Sequence, residues 1–226
     1  MYRPFDFKCY SPKGHLLDFS METPPPFPYI DDIAEGLARI RRYAGATNYT
    51  VAEHCIAMAV NELDKSGDYR KAMGLLVHDA HEAFMGDIIT PVATFLGGEA
   101  QLKLDLLKSH LQDWICEGIG WTNQLRERFI HEADAEAYAA EKRFFFSGEP
   151  CPALIRSTNA YEGFMHLHMQ LSYLCMSTKV DDYARYCAAI TDILDVYIKP
   201  VHTRHFEFLH NELKSRECQQ ETLPEQ

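Results

Sequence analysis

The stretch L-L-V-H-D-A-H-E-A-F-M-G-D-I at residues 75–88 decides the fold class of this chain. Its apolar run and the residues before it predict a helix over about 69–85, with His78, Asp79 and Glu82 close together on that helix. On a helix, neighbouring residues diverge by about 100°, whereas residues three or four positions apart share a face. We therefore expect His78, Asp79 and Glu82 to approach one common point.

Two further residues of the metal-ligand type lie on other predicted helices. The stretch T-V-A-E at 50–53 matches a capping box, which begins a helix with His54 in its first turns. Apolar residues at helical spacing predict a long helix over 122–146, with Asp134 in its middle. Two imidazoles and two carboxylates form a mixed N/O site, which suits Mn, Co, Fe, Ni or Zn better than Ca or Mg. The predicted ligands of this divalent transition metal are His54, His78, Asp79 and Asp134.

The density of acids around His78 also favours a bound cation. Two or three carboxylates within about one turn repel each other unless a cation is present. Four protein ligands leave open positions for water and substrate, as a catalytic metal site requires. One alternative stays open, because a lone histidine on an apolar helix is more often a core or surface residue and His-Asp pairs arise by chance. The chain would then be an all-α interaction module without a metal.

The rest of the chain predicts further helices and one small hairpin. Residues 5–20 hold two short apolar runs around Ser-Pro-Lys-Gly, which is typical of a β-hairpin. The four prolines within 21–30 exclude a regular helix there. The predicted fold class is all-α with a short N-terminal β-hairpin, in one domain over 1–216 followed by a polar, flexible tail at 217–226. The remaining predicted helices span about 31–45, 99–117, 160–175, 181–198 and 202–215.

Composition and charge narrow the class of partner. The 226 residues are 46% hydrophobic, which is ordinary for a globular protein. The formal charge of −11 disfavours a nucleic acid polymer, although a metal and a few arginines would still admit a small phosphorylated substrate. No apolar run reaches the roughly eighteen residues of a membrane span, and the N-terminus lacks a signal-peptide core. The seven cysteines are scattered without a C-x-x-C pair, so we expect a reduced, cytoplasmic protein without membrane contact.

Three stretches together resemble the HD-domain metal-dependent phosphohydrolases. They are V-A-E-H-C at 51–55, L-L-V-H-D-A-H-E-A-F-M-G-D-I at 75–88 and E-A-D-A-E-A-Y-A-A-E at 132–141. The order H…HDxxE…GD…AD is most similar to the branch that contains bacterial 5′-deoxynucleotidases and related prophage and phage nucleotide phosphohydrolases. The resemblance covers roughly residues 30–145, about half of the chain, and implies an HD-type helical bundle.

The resemblance implies a role for each matching residue. It assigns the metal to the four ligands named above. Glu82 and Asp87 match the catalytic group that handles water and leaving-group protons. Arg42 and Tyr43 lie where the family often has an arginine followed by an aromatic residue, and there the arginine contacts phosphate. A guanidinium suits that work because its planar fork matches phosphate geometry.

Two nearby residues each have two alternative roles. Glu141 lies two turns beyond Asp134 on the predicted helix. It either supports the site from behind the metal ligands or is a surface carboxylate. His81 is expected to be exposed, and contact with substrate is the alternative.

The resemblance implies hydrolysis of a small (deoxy)nucleotide. The favoured activity is a 5′-deoxynucleotidase that releases orthophosphate from deoxynucleoside 5′-monophosphates, because the match is to that compact branch. An alternative is a triphosphohydrolase, for example of the dATP type, that releases tripolyphosphate from a deoxynucleoside triphosphate. A further alternative is a non-catalytic module of the same fold that senses a metal or a nucleotide. Family members are commonly homo-oligomers, so self-association is also expected.

Overall fold

The computed structural model describes residues 6–22, 25–26, 30–119, 128–149, 155–157, 159–176 and 198–200. Within them the chain is mostly helical and begins with an antiparallel hairpin, which confirms the predicted fold class. The hairpin pairs β1 (Lys8–Tyr10) with β2 (Leu16–Asp18), and a second pair joins β3 (Ile155–Ser157) to β4 (Ile198–Pro200). The helices are α1 (Ile30–Arg39), α2 (Val51–Ser66), α3 (Tyr69–Leu76), α4 (Glu82–Met85), α5 (Thr90–Leu96), α6 (Gly98–Gly118), α7 (Arg128–Ser147) and α8 (Ala160–Met176).

Several predicted helices are confirmed with small changes at their ends. Those at 99–117 and 160–175 correspond to α6 and α8, and the one at 122–146 corresponds to α7 over the part that is described. The helices predicted at 181–198 and 202–215 and the tail at 217–226 lie outside the described residues, apart from Ile198, which belongs to β4. None of the helices described here combines the length and hydrophobicity that crossing a bilayer requires.

Helix α2 is the centre of the packing. Its start is the predicted capping box: the Thr50 hydroxyl accepts the Glu53 N–H at 3.1 Å, and the Glu53 carboxylate accepts the Thr50 N–H at 2.8 Å. Gly67 ends the helix in the left-handed conformation, with φ of 66°. Helices α1, α3 and α8 pack against α2 and bury most of its side chains, including His54. The largest fully buried apolar side chains of the main core cluster are Phe19, Ile33, Leu37, Ile56, Leu76, Leu111, Ile115, Phe164, Leu167 and Leu171.

Helix α3 ends at Leu76, so the prediction of one continuous helix over 69–85 is wrong. Beyond it the backbone changes to hydrogen bonds between residues three apart, which form a tight turn over residues 77–82. His78 and Asp79 therefore lie in a turn rather than on a helix face. The turn is what brings their two side chains toward one point.

Helix α1 is also shorter than predicted, because it ends at Arg39 and the sequence indicates a helix over 31–45. Tyr43 and Ala44 have φ of 59° and 52°, values in the left-handed region that an α-helix excludes. Residues without a glycine's freedom are strained there, and such strain is concentrated at functional sites. The strained segment carries the predicted substrate contacts Arg42 and Tyr43.

Helices α1 and α4 approach most closely at Gly36. A Cβ placed on Gly36 would lie 2.7 Å from the Cβ of Ala83 and 2.9 Å from its Cα, so only glycine fits. Ala83 follows Glu82 in α4. The contact between Gly36 and Ala83 therefore constrains the position of Glu82.

We expect Gly36→Ala to lower the free energy of unfolding by roughly 1–3 kcal/mol, because the added methyl meets backbone that cannot give way easily. An alanine in a helix interior otherwise stabilises by up to about 1 kcal/mol relative to glycine, so the sign of the change is diagnostic. Urea unfolding followed by circular dichroism measures it. Arg39→Ala, at the exposed end of the same helix, is the control and should change stability little. A Gly36→Ala protein as stable as the wild type would contradict the close contact.

Candidate metal centre

Two histidines present the same ring nitrogen to one point. His54 is fully buried on α2, and its Nδ1 lies 2.6 Å from Oε1 of Glu141. The Nδ1 of His78 lies 2.7 Å from the carbonyl oxygen of Leu75. Carbonyl and carboxylate oxygens accept, so each Nδ1 is the donor, which leaves Nε2 as the ring nitrogen that could bind a metal. The bond to Leu75 ties the His78 ring to the last turn of α3.

The two Nε2 atoms and two carboxylates form the candidate metal centre. Asp79 Oδ2 lies 3.1 Å from His78 Nε2 and 3.9 Å from His54 Nε2, and Asp134 Oδ1 lies 3.2 Å from His54 Nε2. One ligand atom from each of His54, His78 and Asp134 lies within 4.8 Å of the others. Both Nε2 atoms are buried, and among the described residues neither makes a hydrogen bond of good geometry. A divalent cation could bind these two buried ring nitrogens and the carboxylates beside them. These residues could therefore hold a metal ion.

Opposite charges shift the pKa values of this cluster. Burial favours the neutral form of His78, but the charge of Asp79 outweighs burial and raises the pKa of His78 well above its usual value. Burial would raise the pKa of Asp79, but His78 holds it well below the usual range. Burial would raise the pKa of Asp134, but its contact with His54 and the nearby charge of His78 outweigh burial and lower it. Both carboxyls are therefore charged at neutral pH. When no metal is bound, the protonated imidazole of His78 is their positive partner, and a divalent cation at Nε2 would displace that proton.

Glu82 and Asp87, the predicted catalytic pair, both line a cavity beside the candidate metal centre. Glu82 is buried, and burial together with the charges of Asp79 and Asp87 raises the pKa of Glu82 to about 9. Burial also raises the pKa of Asp87, against the opposing charge of Arg42. A carboxyl group that keeps its proton at neutral pH can donate a hydrogen bond, which a carboxylate cannot.

His81 is buried, so the prediction of an exposed residue is wrong. Its Nδ1 lies 3.2 Å from Gln112 Oε1, and its backbone N–H donates to the same oxygen at 3.3 Å. The amide nitrogen of Gln112 donates to the carbonyl of Val77 at 2.7 Å. Gln112 on α6 thus holds both ends of the turn at residues 77–82. The turn directs His81 inward, and its burial lowers the pKa of the imidazole.

Glu141 joins the candidate metal centre to the predicted phosphate-binding segment. One carboxylate oxygen accepts from His54 Nδ1, and the other accepts from Arg42 Nε at 3.0 Å and from the Tyr43 hydroxyl at 2.7 Å. Burial would raise the pKa of Glu141, but its contacts with His54 and Arg42 outweigh burial and lower it. Arg42 Nη1 also lies 3.9 Å from Asp79 Oδ2. Of the two roles considered from the sequence, the structure shows Glu141 behind the ligands and not at the surface.

The cavity beside the candidate metal centre has a volume of about 660 Å³. Sequence reasoning missed four of the residues that line it: the basic residues Lys108 and His131 and the aromatic residues Tyr138 and Phe146. The sequence does not distinguish Lys108 and His131 as cavity residues, because basic residues are common on the outer faces of helices. The run F-F-F at 144–146 did carry one, because three successive side chains on a helix cannot share one buried face.

Comparison with known proteins adds one relative. No protein-family model matches the chain. The chain is similar to an uncharacterised protein of Rhodobacter capsulatus, with 39% identity over 100 residues. The match covers 41% of this chain and 49% of that protein, so the chain spans about half the length of the relative. This similarity names no activity.

We expect Glu141→Gln to weaken metal binding by about 10- to 100-fold, because it removes the carboxylate that orients His54 and places an amide beside Arg42. Competition with a chromophoric chelator measures the affinity, and circular dichroism checks the fold. Glu136→Gln changes an exposed carboxylate on the same helix and should bind metal as the wild type does. Equal affinities for Glu141→Gln and Glu136→Gln would contradict the supporting role.

Proposed function

We propose that this protein is an HD-type, metal-dependent phosphohydrolase that acts on small nucleotides, with deoxynucleoside 5′-monophosphates as the favoured substrates. One observation carries the proposal. The Nε2 atoms of two buried imidazoles face Asp79 and Asp134, at a cavity that Arg42 also lines. Such a site combines the ligands of a Lewis-acidic ion with a guanidinium that suits phosphate.

Each residue of the site would have a separate task. A divalent transition metal on the four ligands would offset phosphate charge and lower the pKa of water. Arg42 would bind phosphoryl oxygens, with its guanidinium held in place by Glu141. Glu82 and Asp87 would orient the attacking water and carry protons between it and the leaving nucleoside oxygen. Burial raises the pKa of Glu82, which suits a group that takes up and releases a proton.

The lining of the cavity bears on the substrate. A volume of about 660 Å³ falls within the range of pockets for cofactor-sized ligands and exceeds what a phosphate ion needs. Lys108 and His131 line the same cavity as Arg42, and these groups could neutralise additional phosphates. A deoxynucleoside triphosphate is therefore the second candidate substrate.

Self-association and a cytoplasmic location stay predictions from the sequence.

The proposal is tested by metal removal and replacement with product identification. The protein is stripped with a chelator, reloaded with Mn²⁺ or Co²⁺, and assayed on deoxynucleoside mono- and triphosphates side by side. We expect metal-dependent release of orthophosphate from the monophosphates. Asp79→Asn should lower kcat/KM by about a hundredfold or more, because it removes a metal ligand. Asp105→Asn, an exposed position on α6, should leave kcat/KM unchanged.

Other results would assign other functions. Tripolyphosphate released from a triphosphate would identify the triphosphohydrolase. Bound metal without turnover of any nucleotide would favour a sensing module. A chain that binds no transition metal, or an Asp79→Asn variant with full metal content and turnover, would contradict the metal-dependent phosphohydrolase.

A further inference from the structure

Helix α7 contains three consecutive phenylalanines with different surroundings. Phe145 lies 5.3 Å from the ring of the buried Tyr49, and Phe144 lies 5.1 Å from Phe145, edge to face. Phe146 points elsewhere, because successive side chains on a helix diverge by about 100°. It is 56% exposed and lines the cavity beside the candidate metal centre.

Phe146 belongs to an aromatic wall made of Tyr43, Tyr138 and Phe146. Tyr43 contacts Phe146 edge to face at 5.3 Å and is stacked with Tyr138 at 6.1 Å, with 27° between the two ring planes. The hydroxyl of Tyr43 donates to Glu141, so the wall is anchored to the residue that orients His54. All three rings line the same cavity as the metal-centre acids.

Exposure alone does not identify a binding surface. Phe95 on α5 is 90% exposed and does not belong to the lining of this cavity. Phe146 differs because its ring stands at a cavity that also contains carboxylates and a guanidinium. A ligand complementary to this lining has an anionic group at one place and a flat aromatic ring at another.

We propose that the aromatic wall is a nucleobase subsite, with Phe146 as its principal stacking surface. This inference rests on the proposed function and adds the part of the substrate that the metal ligands do not contact. Stacking on an aromatic side chain is tolerant of base identity, because every base has a π-face. Phe146 thus favours the binding of nucleotides over simple phosphate esters. Purines should bind more tightly than pyrimidines because they offer more stacking area.

The test uses two ligands that the enzyme cannot hydrolyse. One is the analogue of deoxyadenosine 5′-monophosphate in which a methylene group replaces the 5′ oxygen, and the other is inorganic phosphate. Calorimetry on the metal-loaded full chain measures the Kd of each. We expect Phe146→Ala to weaken binding of the analogue roughly 5- to 100-fold and to leave the Kd of phosphate unchanged. Phe146→Tyr, which keeps a ring, and Phe95→Ala, outside the cavity, should both bind as the wild type does.

Three results would overturn the subsite. The first is an unchanged Kd of the analogue in Phe146→Ala. The second is an equal loss of affinity for analogue and phosphate, which would show damage to the metal centre. The third is a wild-type protein that binds the analogue no more tightly than phosphate. Because neither ligand is turned over, these results do not depend on the hydrolysis assay, so failure of the subsite is distinguishable from failure of the proposed function.

Discussion

The candidate site depends on one buried contact, between the carboxylate of Glu141 on α7 and the imidazole of His54 on α2, at 2.6 Å. Among the described helices α7 packs mainly against α2, and this contact fixes where α7 lies beside the site. The second oxygen of Glu141 accepts from Arg42 and Tyr43. One carboxylate therefore positions a candidate metal ligand and, at the same time, the guanidinium that is proposed to bind phosphate. A substitution that displaces His54 should therefore also affect Arg42, and the reverse, because the two buried groups share one hydrogen-bond partner.

Ion pairing and protonation explain how so many acids are tolerated in one place. A buried charge without a partner is strongly destabilising, and pairing recovers the cost only when the geometry is good. Glu141 is paired with Arg42 and His54, and Asp79 is paired with His78. Glu82 has no such partner in the described part of the chain, and its pKa of about 9 keeps it protonated. The electrostatic potential at the cluster is thus set by these local charges and not by the net charge of −11. Such a site can attract a cation, and the bound cation could then attract an anion.

The sequence was informative wherever the signal was local. The capping box at Thr50 and the hairpin both follow from residues a few positions apart. The turn at 77–82 was not predictable in the same way, because it depends on Gln112, which lies 31 residues from His81 along the chain. The position of Glu141 likewise depends on His54, 87 residues away. Helical periodicity describes neighbours on one element, and it says little about which partner a buried polar group meets across two elements.

In the proposed metal centre, two imidazole Nε2 atoms bind one ion. Pulsed electron paramagnetic resonance of the Mn²⁺-loaded protein tests this arrangement, because electron spin-echo modulation counts the imidazole nitrogens bound to the ion. We predict modulation from two imidazoles in the wild type and from one in His78→Gln. Mn²⁺ without nitrogen modulation, or modulation that His78→Gln leaves unchanged, would contradict the metal centre described here.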